Sequence, residues 1–576
     1  MGIPSYREID AALCGPGKPF EIETAEVLGR ATRVWSNAPR CLSDALAQGR
    51  ALGGGRDFFV LGEERLSHDR HYELVCALAG ALVDDLGVTK GDRVAIAMRN
   101  IPEWSIAFFA ATMVGAIAVP LNAFWNGAEL AFAVTDSDPK VVVADGERLE
   151  RLTPHLGGLR AITLVGTRVE DRKGDVALSP AVLAFDDLVE GSRAAPAVDV
   201  APDDYATIFY TSGTTGFPKG VIGTHRNICT NLLSLMYAGT RTALRSGTTP
   251  GEGPRPATVL LVPVPLFHAT GCHTILVAQA FLGSTLVFMR KWDPEMALDL
   301  IERERVTAMS GVPAMVWDLV NSATLTQRDL GSLKSLGGGG AAAPPELLRR
   351  VRQLLPASGM GTGYGLTESS STVTSIGGAD WDRRPGSVGV PVAVCDVRIV
   401  DDEGEDVGPG DTGEVWIKGP NVVPGYWRRP EETASTFTDG WLHSGDIGRI
   451  DEEGFVYIVD RAKDIIIRGG ENISSIEVEA ALYEHPAVAE VAVLPVPHDV
   501  LGEEVGAVVH VAAGATVTAE ELCAHAGTRL APFKVPAHIW LVTEPLPRSP
   551  SGKLLKRELR ETFASGGRAQ AAGETG

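Results

Sequence analysis

The chain is short of positive charge. Against 73 aspartates and glutamates it sets 52 lysines and arginines, a formal charge of −21, which repels nucleic acid and anionic lipid over most of the surface. Nucleic acid is therefore not expected as a partner, and any polyanion must be met in a local pocket. Paired cysteines are missing as well. The seven (Cys14, Cys41, Cys76, Cys229, Cys272, Cys395, Cys523) are odd in number and widely spaced, with no CxxC pair and no metal-ligand rhythm, which predicts buried free thiols in a reducing compartment. Long apolar runs are absent too. The longest, "IAFFAATMVGAIAVPL" from Ile106 to Leu121, falls short of the roughly 20 residues of a spanning helix and contains Pro120, so it reads as a buried helix running into a strand. "MGIPSYREID" carries charge and proline where a secretory signal needs an apolar core, and Tyr6 breaks the myristoylation pattern. A cytoplasmic location is expected. No repeat period is visible, and only the terminal "ASGGRAQAAGETG" has a disordered composition.

What is present is enough apolar material for several cores: 576 residues, 44% hydrophobic, predict a multidomain globular chain. Short β-branched runs such as "RVAIAM", "KVVVAD", "ATIFYTS", "TVLLVPV" and "STLVFM" alternate with helix-like stretches through the first 450 residues or so, the pattern of an α/β architecture with helix-covered sheets. In "WDPEMALDLIERERV", Asp293 can cap a helix whose first turn holds Pro294 and whose buried face holds Ala297, Leu300 and Ile301. From Val390 the texture becomes acidic turns and short strands, a small β subdomain. Beyond "DRAKD" (Asp460 to Asp464) come a helix pattern, two strand patterns and another helix, about 100 residues that form a separate α+β unit. The expected domains are residues 1–460, a hinge at 461–464, a small mobile C-terminal domain at 465–562 and a disordered tail at 563–576.

One stretch invites chemistry directly. "YTSGTTGFPKGV" (Tyr210 to Val221) follows a strand-like run, so it lies at the carboxyl end of a sheet strand, where α/β folds bind ligands. Its glycines let backbone N–H groups turn inward, its hydroxyls donate hydrogen bonds and Lys219 adds a positive charge, which together suit a phosphate. It is not a Walker A loop, because Gly213 and Gly216 are three apart and Lys219 is followed by Gly220; nor does "GMGTGYG" make a Rossmann fingerprint, because positions 364 and 366 are Tyr and Leu. A plain linker is the alternative reading of the residues alone.

Further stretches follow in a fixed order: "VPLFHATG" (Val264 to Gly271), "GGGGAAAPP" (Gly337 to Pro345), "GYGLTE" (Gly363 to Glu368), "WLHSGDIGRID" (Trp441 to Asp451), "DRAKDIIIRGGENIS" (Asp460 to Ser474) and "PRSPSGKLLKREL" (Pro547 to Leu559). With the opening loop, this set resembles the adenylate-forming superfamily, closest in motifs to the acyl- and aryl-CoA ligases. The resemblance implies that a carboxylic acid attacks the α-phosphate of MgATP to give an acyl-adenylate and pyrophosphate, after which a thiol displaces AMP.

It also implies site residues. Thr211, Ser212, Gly213, Thr214, Thr215, Gly216 and Lys219 surround the β- and γ-phosphates; Gly340, Ala341 and Ala342 seat adenine. Tyr364 stacks on the base beside Gly365, Thr367 bonds the α-phosphate and Glu368 reaches Mg²⁺. Asp446 holds the ribose hydroxyls with Arg461, and Lys553 bridges the carboxylate and the α-phosphate. His268 gates the acyl site, Lys463 is the hinge, and Gly469 and Gly470 line a pantetheine tunnel. ATP, Mg²⁺ and coenzyme A are the implied cofactors and co-substrates. Two positions depart from the common pattern: Thr362, where many relatives have Gln, and Ser475, where Pro is common.

Amino-acid-adenylating members of the superfamily that this chain resembles place an Asp in this region to pair the substrate ammonium, and "PVPLFHATGC" has no acid, so the resemblance implies that an α-amino acid is not the substrate. Gly363, Tyr364 and Gly365 stand where acetate-specific relatives place Trp. A medium- or long-chain or bulky apolar acid, cyclic and aryl acids included, is therefore expected. The alternatives are an acyl-AMP ligase that loads an acyl carrier protein and a noncatalytic nucleotide-binding protein. A monomer or homodimer is anticipated.

Overall fold

The computed structural model describes residues 3–158, 162–171, 182–211, 218–248, 258–338, 345–384, 386–469, 471–549 and 552–564. The chain is mixed α/β, with a large N-terminal domain and a small C-terminal one. Two sheets dominate the large domain. In the first, Arg93–Ala97 sits centrally between Ile117–Pro120 and Val141–Asp145, all in parallel, and Tyr205–Thr211 and Lys219–Thr224 close one side as an antiparallel hairpin. The second sheet runs parallel through Thr285–Phe288, Val259–Val262, Ala308–Gly311, Ser335–Gly338 and Gly359–Tyr364, and then turns antiparallel at Thr374–Gly377.

Helices cover these sheets on both faces, so the central strands are apolar throughout: every residue of Val141–Asp145 is buried. The helix Pro102–Met113 is the extreme case, with Trp104 through Met113 all buried. It is apolar all round because it is wrapped all round. It leads through Val114–Ala116 into the strand Ile117–Pro120, as the sequence run predicts. Phe108 and Phe109, both buried, each contribute about 1.5–3 kcal/mol by leaving water. In the helix Pro294–Arg303 the Asp293 carboxylate accepts a hydrogen bond from the Met296 N–H at 2.8 Å, and Ala297, Leu300 and Ile301 are buried.

A five-stranded β subdomain follows, built on Trp441–Ile450 with Gly413–Lys418 and Val456–Arg461 at its sides. The C-terminal domain has its own sheet: Gly502–Val511 pairs with Val488–His498, Ile466–Arg468 and His538–Val542. A hairpin, Ile466–Arg468 with Glu471–Ile473, precedes the first helix of this domain, an element the helix-first reading of the sequence lacks. Of the expected tail, residues 565–576 lie outside the described residues, whereas Phe563 belongs to the final helical turn and packs on Trp540 with ring centroids 5.6 Å apart. All seven cysteines are free, and Cys41, Cys76, Cys229, Cys272 and Cys395 are buried. Among the described residues no helix is long and apolar enough to cross a membrane.

Candidate active site

A cleft of about 2700 Å³ runs between the carboxyl ends of the large sheets, the β subdomain and the C-terminal domain. Three backbone pairings carry most of its polar wall. The antiparallel register sets Thr211 opposite Lys219, so the two ends of the glycine- and hydroxyl-rich loop are held together at the rim. Gly425–Tyr426 pairs against the same hairpin, which brings Tyr426 under Lys219. The ammonium of Lys219 lies 5.5 Å from the Tyr426 ring centre and 2.9 Å from Glu432 Oε2. Tyr426 in turn donates its hydroxyl to Glu368 Oε1 at 3.1 Å.

The third pairing is in the β subdomain, where Asp446 and Arg461 are direct cross-strand partners. Arg461 Nε is 3.3 Å from Asp446 Oδ1, and the Tyr364 hydroxyl donates to Asp446 Oδ2 at 2.6 Å. Burial raises the Asp446 pKa, opposed by Arg461, the Tyr364 hydroxyl and Lys553. Glu368, half-buried in the cleft wall, is likewise raised by burial against its own backbone N–H, Tyr426 and Arg461. Two carboxylates are thus held in surroundings that favour a cationic or hydrogen-bonding guest.

Gly365 is shaped by a close approach. A Cβ at this position would stand 1.3 Å from the carbonyl oxygen of Ser371, so only glycine lets the chain pass from Tyr364 to Thr367. Thr367 opens the short turn Thr367–Ser369, whose Ser369 N–H bonds the Leu366 carbonyl at 3.2 Å. His268 follows Phe267, with ring centroids 4.8 Å apart, just before the π-helical segment Thr270–Val277; such widened helices recur at functional sites. Its Nε2 is buried without a hydrogen-bond partner, and burial, reinforced by Lys553, lowers its pKa to about 4. It is a neutral imidazole at pH 7.

Lys553 arrives from the C-terminal domain. Its turn is closed by the Ser549 N–H donating to the Lys553 carbonyl at 2.7 Å and the Lys553 N–H donating to Ser549 Oγ at 3.1 Å. The side chain stands in the open cleft, wet but crowded by the protein walls. That crowding, with Arg461, lowers its pKa, while Asp446 and Glu368 pull it back up. Thr211, Lys219, His268, Tyr364, Gly365, Thr367, Glu368, Asp446, Arg461, Lys463 and Lys553, scattered over more than 300 residues of sequence, all line this one cleft. Gly469 does not: it occupies a left-handed turn (φ +61°) of the C-terminal hairpin, its N–H bonded to the Leu501 carbonyl. Ser212, Gly213, Thr214, Thr215, Gly216, Gly340, Ala341, Ala342 and Gly470 lie outside the described residues.

The family model of AMP-binding enzymes matches residues 48–427, and that of the AMP-binding enzyme C-terminal domain matches residues 477–553. The chain belongs to the AMP-binding enzyme family. This places it among the AMP-forming acyl-CoA synthetases of the adenylate-forming superfamily. Among relatives of this AMP-binding enzyme, a feruloyl-CoA synthase of Amycolatopsis sp. is 37% identical over 477 residues, 83% of this chain and 90% of that one. A long-chain-fatty-acid–CoA ligase of Bacillus subtilis (strain 168) is 36% identical over 501 residues, 82% of this chain and 86% of that one. Of solved structures, the ATP-bound MatB from Rhodopseudomonas palustris superposes with a TM-score of 0.78 at 31% identity, covering 91% of this chain and 100% of that one.

Several contributors to the AMP-binding enzyme's cleft carry no sequence signal. Tyr426 lies outside every motif, and only the strand pairing brings it to Lys219 and Glu368; Glu432, from the helix Pro430–Thr436, reaches Lys219 from beside the cleft. At the domain junction the buried Asp460 accepts the Ser475 N–H at 2.5 Å and the Ser474 hydroxyl donates to the Val459 carbonyl at 2.7 Å. Arg560 donates to Asp464 Oδ1 at 2.7 Å and to the Lys463 carbonyl at 3.2 Å. None of these contacts follows from local spacing.

Proposed function

We propose that the enzyme joins an apolar carboxylic acid to coenzyme A in two steps. A carboxylate oxygen attacks the α-phosphorus of ATP and displaces pyrophosphate; the coenzyme A thiolate then attacks the acyl carbon and displaces AMP. The observation that carries this reading is the convergence of Lys553 with Asp446, Glu368 and His268 on a cleft that both domains line. The acid and the nucleotide are both anions, so the first step is limited by their repulsion. In this reading the Lys553 ammonium lies between them and stabilises charge that concentrates in the transition state.

The remaining roles follow from chemistry at named atoms. Asp446 already accepts the Tyr364 hydroxyl and pairs with Arg461, yet a carboxylate has about four acceptor sites, which leaves room for ribose hydroxyls. Thr211 and Lys219, at the two ends of the phosphate loop, bind the pyrophosphate portion; taking up phosphate would draw Lys219 from Glu432. The neutral His268 ring bounds the acyl site without adding charge there. The donor set suits Mg²⁺. Among the described residues no three ligand-type side chains gather into a metal site, but a hard cation that keeps its waters and the substrate phosphates needs only one or two carboxylates. Glu368, its pKa raised by burial, is a carboxylate that such a cation would relieve. When bound, Mg²⁺ neutralises phosphate charge. The hinge at Lys463 lets the C-terminal domain turn between steps, carrying Lys553 out and the Gly469 hairpin in.

The relatives named for feruloyl and long-chain fatty acids, together with the apolar surroundings of Phe267 and His268, favour an apolar acid. The test is pyrophosphate release from ATP across a panel of carboxylic acids, with and without coenzyme A. Acid-dependent release together with consumption of coenzyme A is expected. Release without thiol consumption points to a carrier-protein acceptor, and no release with any acid removes the ligase reading.

A pH dependence follows from Lys553. Its cationic form is the useful one, and its pKa is depressed. Adenylation is therefore complete below that pKa and lost as the pH rises through it, below the ordinary lysine value of about 10.4. The alkaline limb of kcat/KM for ATP should fall there and move upward in Lys553→Arg; an unmoved limb in an active Lys553→Arg enzyme contradicts the assignment.

A further inference from the structure

Behind the cleft lies a second chamber of about 320 Å³. The long helix His225–Arg245, the helical stretches Thr270–Val277 and Ala278–Leu282, and strands of the second sheet line it. Leu235, Gly239, Thr274, Ser310, Ser335 and Gly337 line both spaces, so the chamber adjoins the cleft across a shared wall. Its walls are apolar side chains such as Leu232, Met236, Ile275 and Phe281, with a few hydroxyls and one amide. No described lining residue carries a charge.

Gly239 stands out in the shared wall. It lies in the interior of a 21-residue helix, where glycine weakens the helix relative to alanine. Its backbone is not left-handed, and a Cβ added there would meet nothing within 4 Å. Neither backbone conformation nor packing calls for glycine. Tyr237, Ala238, Thr240 and Arg241 around it are buried, whereas Gly239 is exposed, in the direction of both cavities. Glycine here leaves the space in the shared wall unfilled.

We propose that Gly239 is the portal through which the tail of the acid passes into this chamber, and that the substrates are monocarboxylic acids with an extended, uncharged tail. The proposal rests on the acid–CoA ligase reading and specifies the acid. A side chain at position 239 would block the passage while leaving the carboxylate end of the site untouched. A second carboxylate at the far end of the tail would be stripped of water with no described cation to meet it, a cost that selects against dicarboxylic acids.

The experiment measures pyrophosphate release by the full-length enzyme with ATP, Mg²⁺, coenzyme A and three acids: butanoate, decanoate and decanedioate. The wild-type enzyme is expected to prefer decanoate, with decanedioate poorer by about 100-fold in kcat/KM. Gly239→Leu should lower kcat/KM for decanoate about 100-fold and for butanoate no more than about threefold, inverting the length preference. Equal losses for butanoate and decanoate, a wild-type preference for butanoate, or decanedioate turnover matching decanoate would overturn the proposal while leaving the ligase reading intact. No release with these three acids but release with another acid of the wider panel would likewise overturn the proposal, whereas no release with any acid of that panel would remove the ligase reading. If circular dichroism shows that Gly239→Leu does not fold, Leu235→Phe narrows the same passage and carries the same comparison.

Discussion

Replacing Lys553 by alanine is expected to slow acyl-adenylate formation by roughly 1000-fold, the scale seen when one preorganised charge-stabilising group is removed. The same variant should turn supplied acyl-adenylate and coenzyme A into thioester at nearly the wild-type rate. The asymmetry is the informative part. Lys553 is within electrostatic reach of Asp446 and Glu368 across the cleft, and it belongs to the domain proposed to turn away before the thiol arrives. Separate assays of pyrophosphate exchange and of thioester formation from synthetic adenylate measure the two steps. Equal losses in both would show that Lys553 acts in a fixed site, or that its role is structural.

The second large effect is expected from the smallest change. Gly365→Ala adds one methyl group at a point where it would stand 1.3 Å from the Ser371 carbonyl oxygen. That oxygen is backbone and cannot rotate aside. The strand end from Gly363 and the turn at Thr367 must shift instead, at a cost of about 3 kcal/mol. The shift would move Tyr364 off Asp446 and Glu368 off Tyr426, and displacements of about 1 Å at such positions cost about 100-fold in rate. Thermal unfolding and ATP–pyrophosphate exchange test both parts; an alanine variant with wild-type melting temperature and exchange rate would contradict the close approach.

What the sequence made legible and what it concealed divide along physical lines. The helix capped by Asp293 and the buried run from Ile106 were readable because capping and hydropathy act over a few residues. The motifs around Glu368, Asp446 and Lys553 were readable only through their resemblance to the adenylate-forming superfamily, because taken singly each is an ordinary acidic turn or surface lysine and nothing local says that they share one cleft. The strand Gly359–Tyr364 was not readable. Its sequence, "GMGTGY", has the composition of a loop, and it is a strand because Ser335–Gly338 and Thr374–Gly377 pair with its two edges. Long-range pairing there overrides local propensity. The same holds for Tyr426, which reaches Glu368 across 58 residues of sequence, and for Gly239, whose meaning depends on a cavity assembled from five separate stretches of the chain.

The pairing of Asp446 with Arg461 has a mechanical side. Arg461 ends the strand Val456–Arg461, and the Lys463 carbonyl two residues later is held by Arg560 of the C-terminal domain. A ligand that claims Asp446 Oδ1 competes for that carboxylate with Arg461, two residues before Lys463. The cleft carboxylate and the linker are therefore joined by a short chain of contacts, from Asp446 through Arg461 to the Lys463 carbonyl and Arg560.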